Sequence, residues 1–94
     1  MRLKDQVAVI TGVSHNGQVG YALAAAFARE GALLAISARN AERVNARAQE
    51  LRTEGAKVIA IPADLTTEEG ANMLMQDTLA AYERINILVN LAGA

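Results

Sequence analysis

Thr11 to Gly20 reads TGVSHNGQVG and lies between two stretches of unlike character. Before it, Val7 to Ile10 (VAVI) is a short apolar run rich in β-branched residues, which reads as a strand buried on both faces. After it, Tyr21 to Glu30 (YALAAAFARE) is alanine-rich, so a helix is expected from about Gln18 to Glu30, with Gly31 as its stop. A helix that starts directly after such a turn offers unpaired N–H groups and the positive end of its dipole, which suits a pyrophosphate. Gly12 lets the chain leave the strand abruptly. Gly17 and Gly20 remove side chains where a phosphate or the neighbouring strand must come close. The plainer alternative is an ordinary strand–helix connection that uses glycine only to turn.

The rest of the chain repeats the strand-then-helix theme. Leu33 to Ser37 reads as a second strand. Asn40 is placed to cap the next helix, whose apolar face recurs at Val44, Ala48 and Leu51 and which Gly55 ends. Lys57 to Ile61 is a third strand, closed by Pro62. Thr66 and Glu69 match a capping box, and a third helix is expected from there to about Tyr82, with Ala71, Leu74, Met75, Leu79 and Tyr82 inward. Gly70 in its first turn is an irregularity worth about 1 kcal/mol against alanine. Ile87 to Leu91 is a fourth strand. The order β-α-β-α-β-α-β, with helices of this length, defines an α/β chain. The expected architecture is a Rossmann-type doubly wound parallel sheet, here partial, with right-handed crossovers and strand order 3-2-1-4. A ligand on such a sheet binds outside the carboxyl ends of the strands, at the switch point between strands 1 and 4.

Composition narrows the function classes. The chain has 94 residues, 52% of them hydrophobic, which suits one small domain with a well-buried interior. Nine basic residues against ten acidic ones and three aromatics leave no basic, base-stacking surface, so nucleic acid is not an expected partner. The absence of cysteine excludes a disulfide scaffold and a thiolate metal site. No apolar run approaches the roughly 20 residues of a membrane helix, and the opening MRLKDQVAVITG is broken by Asp5 and Gln6 and is not a signal peptide. A cytoplasmic protein without membrane partners is expected.

Two familiar glycine loops do not fit. Gly12 and Gly17 have the G-x-x-x-x-G spacing of a nucleoside-triphosphate loop, but Gln18 and Val19 follow where Lys and Ser or Thr are needed for phosphate and Mg²⁺. The strict G-x-G-x-x-G fingerprint fails at Ser14. What the stretch does resemble is the T-G-x-x-x-G-x-G signature of the short-chain dehydrogenase/reductase family. Aligned back from Gly31, Gly20 falls on the last glycine of that signature and Thr11-Gly12 on the first pair. Two extra residues lie between them, with Gln18 at the middle glycine position and Gly17 one residue earlier. The longer turn is similar in length to that of the divergent enoyl-acyl-carrier-protein reductase branch. The phosphate contacts implied are Ser14, Asn16 and the amides of Val19 and Gly20. His15, the only histidine, has no obvious partner acid and reads as a solvent-facing residue near the cofactor, with a catalytic role as the alternative.

Three further matches follow in order. An NAD-preferring site places a carboxylate near the end of the second strand. Ala38 stands there instead, and Arg39 can fork onto a 2′-phosphate. This pattern resembles NADP(H) preference; a surface arginine near a helix start is the other reading. Asp64-Leu65 resembles the family's adenine-side pair, although Asp64 also suits the next helix N-terminus by charge alone. Asn90-Leu91-Ala92-Gly93 resembles the family's N-N-A-G, with Leu91 for the second Asn. The resemblance implies that Ala92 and Gly93 lie beside the cofactor ribose and that Asn90 braces the sheet by hydrogen bonds to neighbouring backbone.

The family's chemistry uses a Ser, a Tyr-x-x-x-Lys pair and an Asn on later segments. Ala25 and Asn86 stand four residues after Tyr21 and Tyr82, so no catalytic residue is assigned. The resemblance therefore implies a single NADP-binding domain over residues 1–94, cut after the fourth strand, from an oxidoreductase acting on a carbonyl, alcohol or enoyl substrate. A small-molecule substrate is expected only if further sequence completes the site. A non-catalytic nucleotide-binding or interaction module, or an inactive remnant, is the alternative. The fourth strand would be a hydrophobic edge open to self-association.

Overall fold

A computed structural model describes residues 2–14 and 18–91. The elements are β1 (Val7–Thr11), α1 (Val19–Arg29), β2 (Leu33–Ala38), α2 (Ala41–Thr53), β3 (Lys57–Pro62), α3 (Glu68–Tyr82) and β4 (Ile87–Val89). They form one parallel sheet in the order β3-β2-β1-β4. This is the Rossmann-type arrangement expected from the alternation of strands and helices. Val9 at the centre pairs with Ala35 on one side and Leu88 on the other.

Side chains alternate across each strand, and this sorts the core into two layers. Ala8, Ile10, Leu34, Ile36 and Val58 pack with Ala24 of α1 and with Val44, Ala48 and Leu51 of α2. On the opposite face Val9, Ala35 and Ile61 meet Leu74 of α3. All of β1 is buried, as its continuous apolar run requires. Asn40 caps α2 by accepting from the Arg43 amide at 2.9 Å. Among the described residues, no helix is long and apolar enough to cross a membrane.

Three details differ from the sequence reading. The cap of α3 is Thr67, whose hydroxyl accepts from the Gly70 amide at 3.0 Å. Thr66 instead donates its hydroxyl to Asp64 Oδ1 at 2.6 Å, so the Thr66–Glu69 box does not form. The fully buried positions of α3 are Gly70, Leu74 and Thr78; Leu74 is inward as expected and Ala71, Met75 and Tyr82 are half-buried, but Leu79 is exposed and Thr78 is buried beside it. Thr78 tolerates burial because its hydroxyl bonds back to the Leu74 carbonyl at 2.7 Å. Finally, β4 stops at Val89 rather than Leu91, because the Leu91 amide leaves the ladder to bond Thr11 Oγ1 at 2.9 Å.

Candidate functional site

The carboxyl ends of β1, β2, β3 and β4 open on the same end of the sheet, because the strands are all parallel. Two hollows lie there. One, of about 450 Å³, is lined by Gly12, Gln18, Val19, Gly20 and Leu91. The other, of about 190 Å³, is lined by Ala38, Arg39, Ala63, Asp64, Leu65, Thr66 and Asn90. Consecutive residues at the end of β4, Asn90 and Leu91, thus line one hollow each.

The first hollow faces the start of α1. Gly12 has φ +79, a left-handed conformation that turns the chain out of β1. The turn is then anchored by the Val13 amide, which donates to the Ser37 carbonyl at 3.1 Å. At the N-cap of α1, the Gln18 side chain makes no capping hydrogen bond, and the first turn carries no acidic residue. The first intrahelical bond runs from the Ala22 amide to the Gln18 carbonyl at 3.1 Å. The amides of Val19, Gly20 and Tyr21 precede it and form the positive end of the helix. A Cβ on Gly20 would stand 2.9 Å from the Gly12 carbonyl oxygen, so only glycine lets α1 start this close to the end of β1. Val19 is 64% exposed beside this hollow.

The second hollow is held by backbone. The Ala63 amide donates to the Ala38 carbonyl at 3.1 Å and fixes the segment after β3 against the end of β2. Asp64 then closes an Asx turn, with Oδ1 accepting from the Thr66 amide at 3.0 Å and from its hydroxyl. These two bonds, hydroxyl first, hold the Asp64 carboxyl below the usual carboxylate range, and the Arg39 charge acts in the same sense. Arg39 Nη2 lies 3.6 Å from Asp64 Oδ2, a loose pairing in which the arginine side chain remains 74% exposed. Such a surface pair holds little energy, so the guanidinium is available to an added anion.

Of the sequence-predicted site residues, Gly12, Val19 and Gly20 share the first hollow, and Ala38, Arg39, Asp64, Leu65 and Asn90 share the second. Ser14 is half-buried, and its carbonyl accepts from Arg47 Nη1 at 3.4 Å. Asn16, Gly17, Ala92 and Gly93, and with them His15, lie outside the described residues. Asn90 braces the sheet differently from expectation. Its Oδ1 accepts from the Thr11 hydroxyl at 2.8 Å, while Thr11 Oγ1 accepts from the Leu91 amide, so beyond the β1–β4 ladder a side-chain relay through Thr11 joins the two strand ends. Sequence reasoning missed Ala63 and Thr66, which line the second hollow. Asp-x-Thr is a turn signal that could have identified Thr66. Tyr82 donates its hydroxyl to the Leu34 carbonyl at 2.9 Å, and burial pushes its pKa up, which fits a packing role. Among the described residues no cluster of three or more metal-ligating side chains occurs.

The comparisons with known proteins agree with this geometry. The family model described as short chain dehydrogenase matches residues 6–94. The chain belongs to the short-chain dehydrogenase family. An uncharacterized oxidoreductase of Bacillus subtilis, YvaG, is 42% identical over 95 residues, covering 99% of this chain and 34% of its own length. The apo crystal structure of glucose dehydrogenase from Caenorhabditis elegans superposes with a TM-score of 0.91 at 38% identity, covering 99% of this chain and 40% of that one. L-sorbose reductase from Gluconobacter frateurii, complexed with NADPH and L-sorbose, gives a TM-score of 0.91 at 34% identity, covering 100% of this chain and 36% of that one. The chain thus spans about a third of the length of the curated relatives it matches.

Proposed function

We propose that residues 1–94 form the NADP(H)-binding domain of a short-chain dehydrogenase/reductase that moves hydride between the nicotinamide and a carbonyl, alcohol or enoyl substrate. The observation that carries the cofactor choice is the end of β2. Ala38 carries no carboxylate at the end of β2, and Arg39 stands beside it, largely exposed and only loosely paired with Asp64, whose carboxylate is engaged by Thr66. A carboxylate there would accept from ribose hydroxyls and repel a 2′-phosphate. An arginine there forks onto that phosphate.

In this reading Gly12, Ser14, Asn16, Gly17, Val19 and Gly20 hold the pyrophosphate through backbone amides and the positive end of α1. Ala38 and Arg39 take the 2′-phosphate, Asp64 and Leu65 border the adenine, and Asn90, Ala92 and Gly93 lie along the ribose. The bound nicotinamide supplies or accepts the hydride. The residues of this chain bind and orient it, and no proton-transfer role is assigned to Tyr21 or Tyr82. The solved NADPH complex of the similar L-sorbose reductase supports a phosphorylated dinucleotide on this fold. The outer edge of β4, with Leu88 54% exposed, is the place where a second copy could add.

Calorimetric titration of Arg39→Ala tests the reading. NADPH affinity is expected to fall about 10- to 100-fold, the loss of one charge-assisted hydrogen-bonded contact, while NADH affinity changes little. Equal loss for both cofactors contradicts it.

A further inference from the structure

Two arginines reach the carboxyl end of the sheet, and they are held in opposite ways. Arg39 is largely exposed and loosely paired, whereas the Arg47 side chain, on α2, is only 16% exposed. Arg47 Nη2 donates to Glu50 Oε2 at 2.9 Å. Its Nε lies 2.9 Å from Glu50 Oε1, an ion-pair contact off the line of a hydrogen bond, with both atoms buried. These two contacts orient the guanidinium plane and neutralise its charge. The remaining nitrogen, Nη1, is left directed at the Ser14 carbonyl, 33 residues away in the chain and 3.4 Å away in space.

Ser14 is the second residue after Gly12 and lies in the turn that carries two more residues than the family signature. Lengthening a turn multiplies the conformations that must be given up when it orders around a ligand. The Val13 amide already ties the first part of the turn to Ser37 of β2. A second tie, from α2 to the very next residue, extends that restraint to Ser14. A neutralised, buried arginine suits this task and not that of a phosphate ligand, since Glu50 already holds its charge.

We propose that Arg47 is a positioning residue for the pyrophosphate turn. Its guanidinium, oriented by Glu50, holds the Ser14 carbonyl and thereby sets the direction in which the turn presents its amides. The proposal rests on the reading of the turn as a pyrophosphate site.

The test titrates the unsubstituted chain, Arg47→Ala, Arg47→Lys and Glu50→Gln with NADPH, NADH and adenosine 2′-monophosphate, which lacks a pyrophosphate. It also measures hydrogen exchange at the Val13, Val19 and Gly20 amides without ligand. Arg47→Ala is expected to weaken NADPH and NADH by the same factor, about tenfold, to leave adenosine 2′-monophosphate unchanged, and to speed exchange at those amides. Glu50→Gln shifts the same quantities less. Arg47→Lys does not restore binding, because an ammonium cannot present three fixed donors in one plane. Unchanged dinucleotide affinities overturn the proposal, as does equal weakening of adenosine 2′-monophosphate, which marks general loosening. Loss confined to NADPH overturns it too, by making Arg47 a 2′-phosphate contact. If the unsubstituted chain binds neither dinucleotide, the cofactor reading falls, and unchanged exchange in Arg47→Ala then separately refutes the tether.

Discussion

Helices α1 and α3 begin alike and end up with opposite electrostatic characters. Each follows a loop at the carboxyl end of a strand, and each has a glycine in its first turn pressed against the backbone of that loop. A Cβ on Gly20 would meet the Gly12 carbonyl oxygen at 2.9 Å, and one on Gly70 would meet the Asp64 carbonyl oxygen at 2.0 Å. The starts themselves differ. Thr67 caps α3, and Glu68 and Glu69 sit in its first turn, so this helix answers its own dipole and amides. Gln18 provides no side-chain cap and the first turn holds no acid, so neither answers the positive end of α1. The same packing device therefore serves two purposes. At α3 it seats a structural element and shapes the second hollow; at α1 it brings the helix start to the first hollow, where the proposed pyrophosphate would lie.

The largest effect that can break this comparison is Gly70→Ala. Added helix propensity is outweighed by a collision with backbone that cannot rotate away, and a loss of about 3 kcal/mol is expected from urea denaturation. Gly20→Ala meets a longer approach and is expected to lose about 1–2 kcal/mol. The reverse order would show that the closer approach is not the tighter constraint.

Exchanging the caps sharpens the electrostatic half. Gln18→Asp places a carboxylate at the first amides of α1. It is expected to stabilise the chain by about 0.5–1 kcal/mol and to weaken dinucleotide binding at least tenfold in titration. Thr67→Ala is expected to lose about 1 kcal/mol of stability with dinucleotide affinity unchanged. A Gln18→Asp chain that binds as tightly as the parent would remove α1 from the site.

The smallest effect concerns acid. The folded Asp64 carboxyl is held below its unfolded pKa by Thr66, with Arg39 adding to this. Its contribution is therefore present above roughly pH 4 and is lost as pH falls through the folded pKa. Asp64→Asn is expected to flatten the fall in thermal midpoint over that acid range, and an unchanged slope would detach Asp64 from it.

The legible parts were those written in neighbouring residues. The Asn40 cap, the Val44–Ala48–Leu51 stripe and the strand order followed from local pattern, as did the clustering of Ala38, Arg39, Asp64 and Leu65 at one end of the sheet. One position of the α3 stripe was misjudged, because hydrophobicity favours Leu79 over Thr78, and only the back-bond to Leu74 makes the threonine acceptable inside. Gly70 looked like a defect because helix propensity is a local quantity, whereas its reason is the Asp64 carbonyl brought against it by the loop.

Period, caps and glycine spacing by themselves determined the class of fold, the side of the sheet on which a ligand belongs and the family resemblance, because each depends on residues a few positions apart. Only the tertiary structure decided how the turn after β1 is held. Ser37 and Arg47 bond residues 24 and 33 positions before them in the chain, and Asn90 reaches Thr11 across 79. Such partners become neighbours only when parallel strands align their carboxyl ends, a juxtaposition created by chain crossover and packing that no local window of sequence contains.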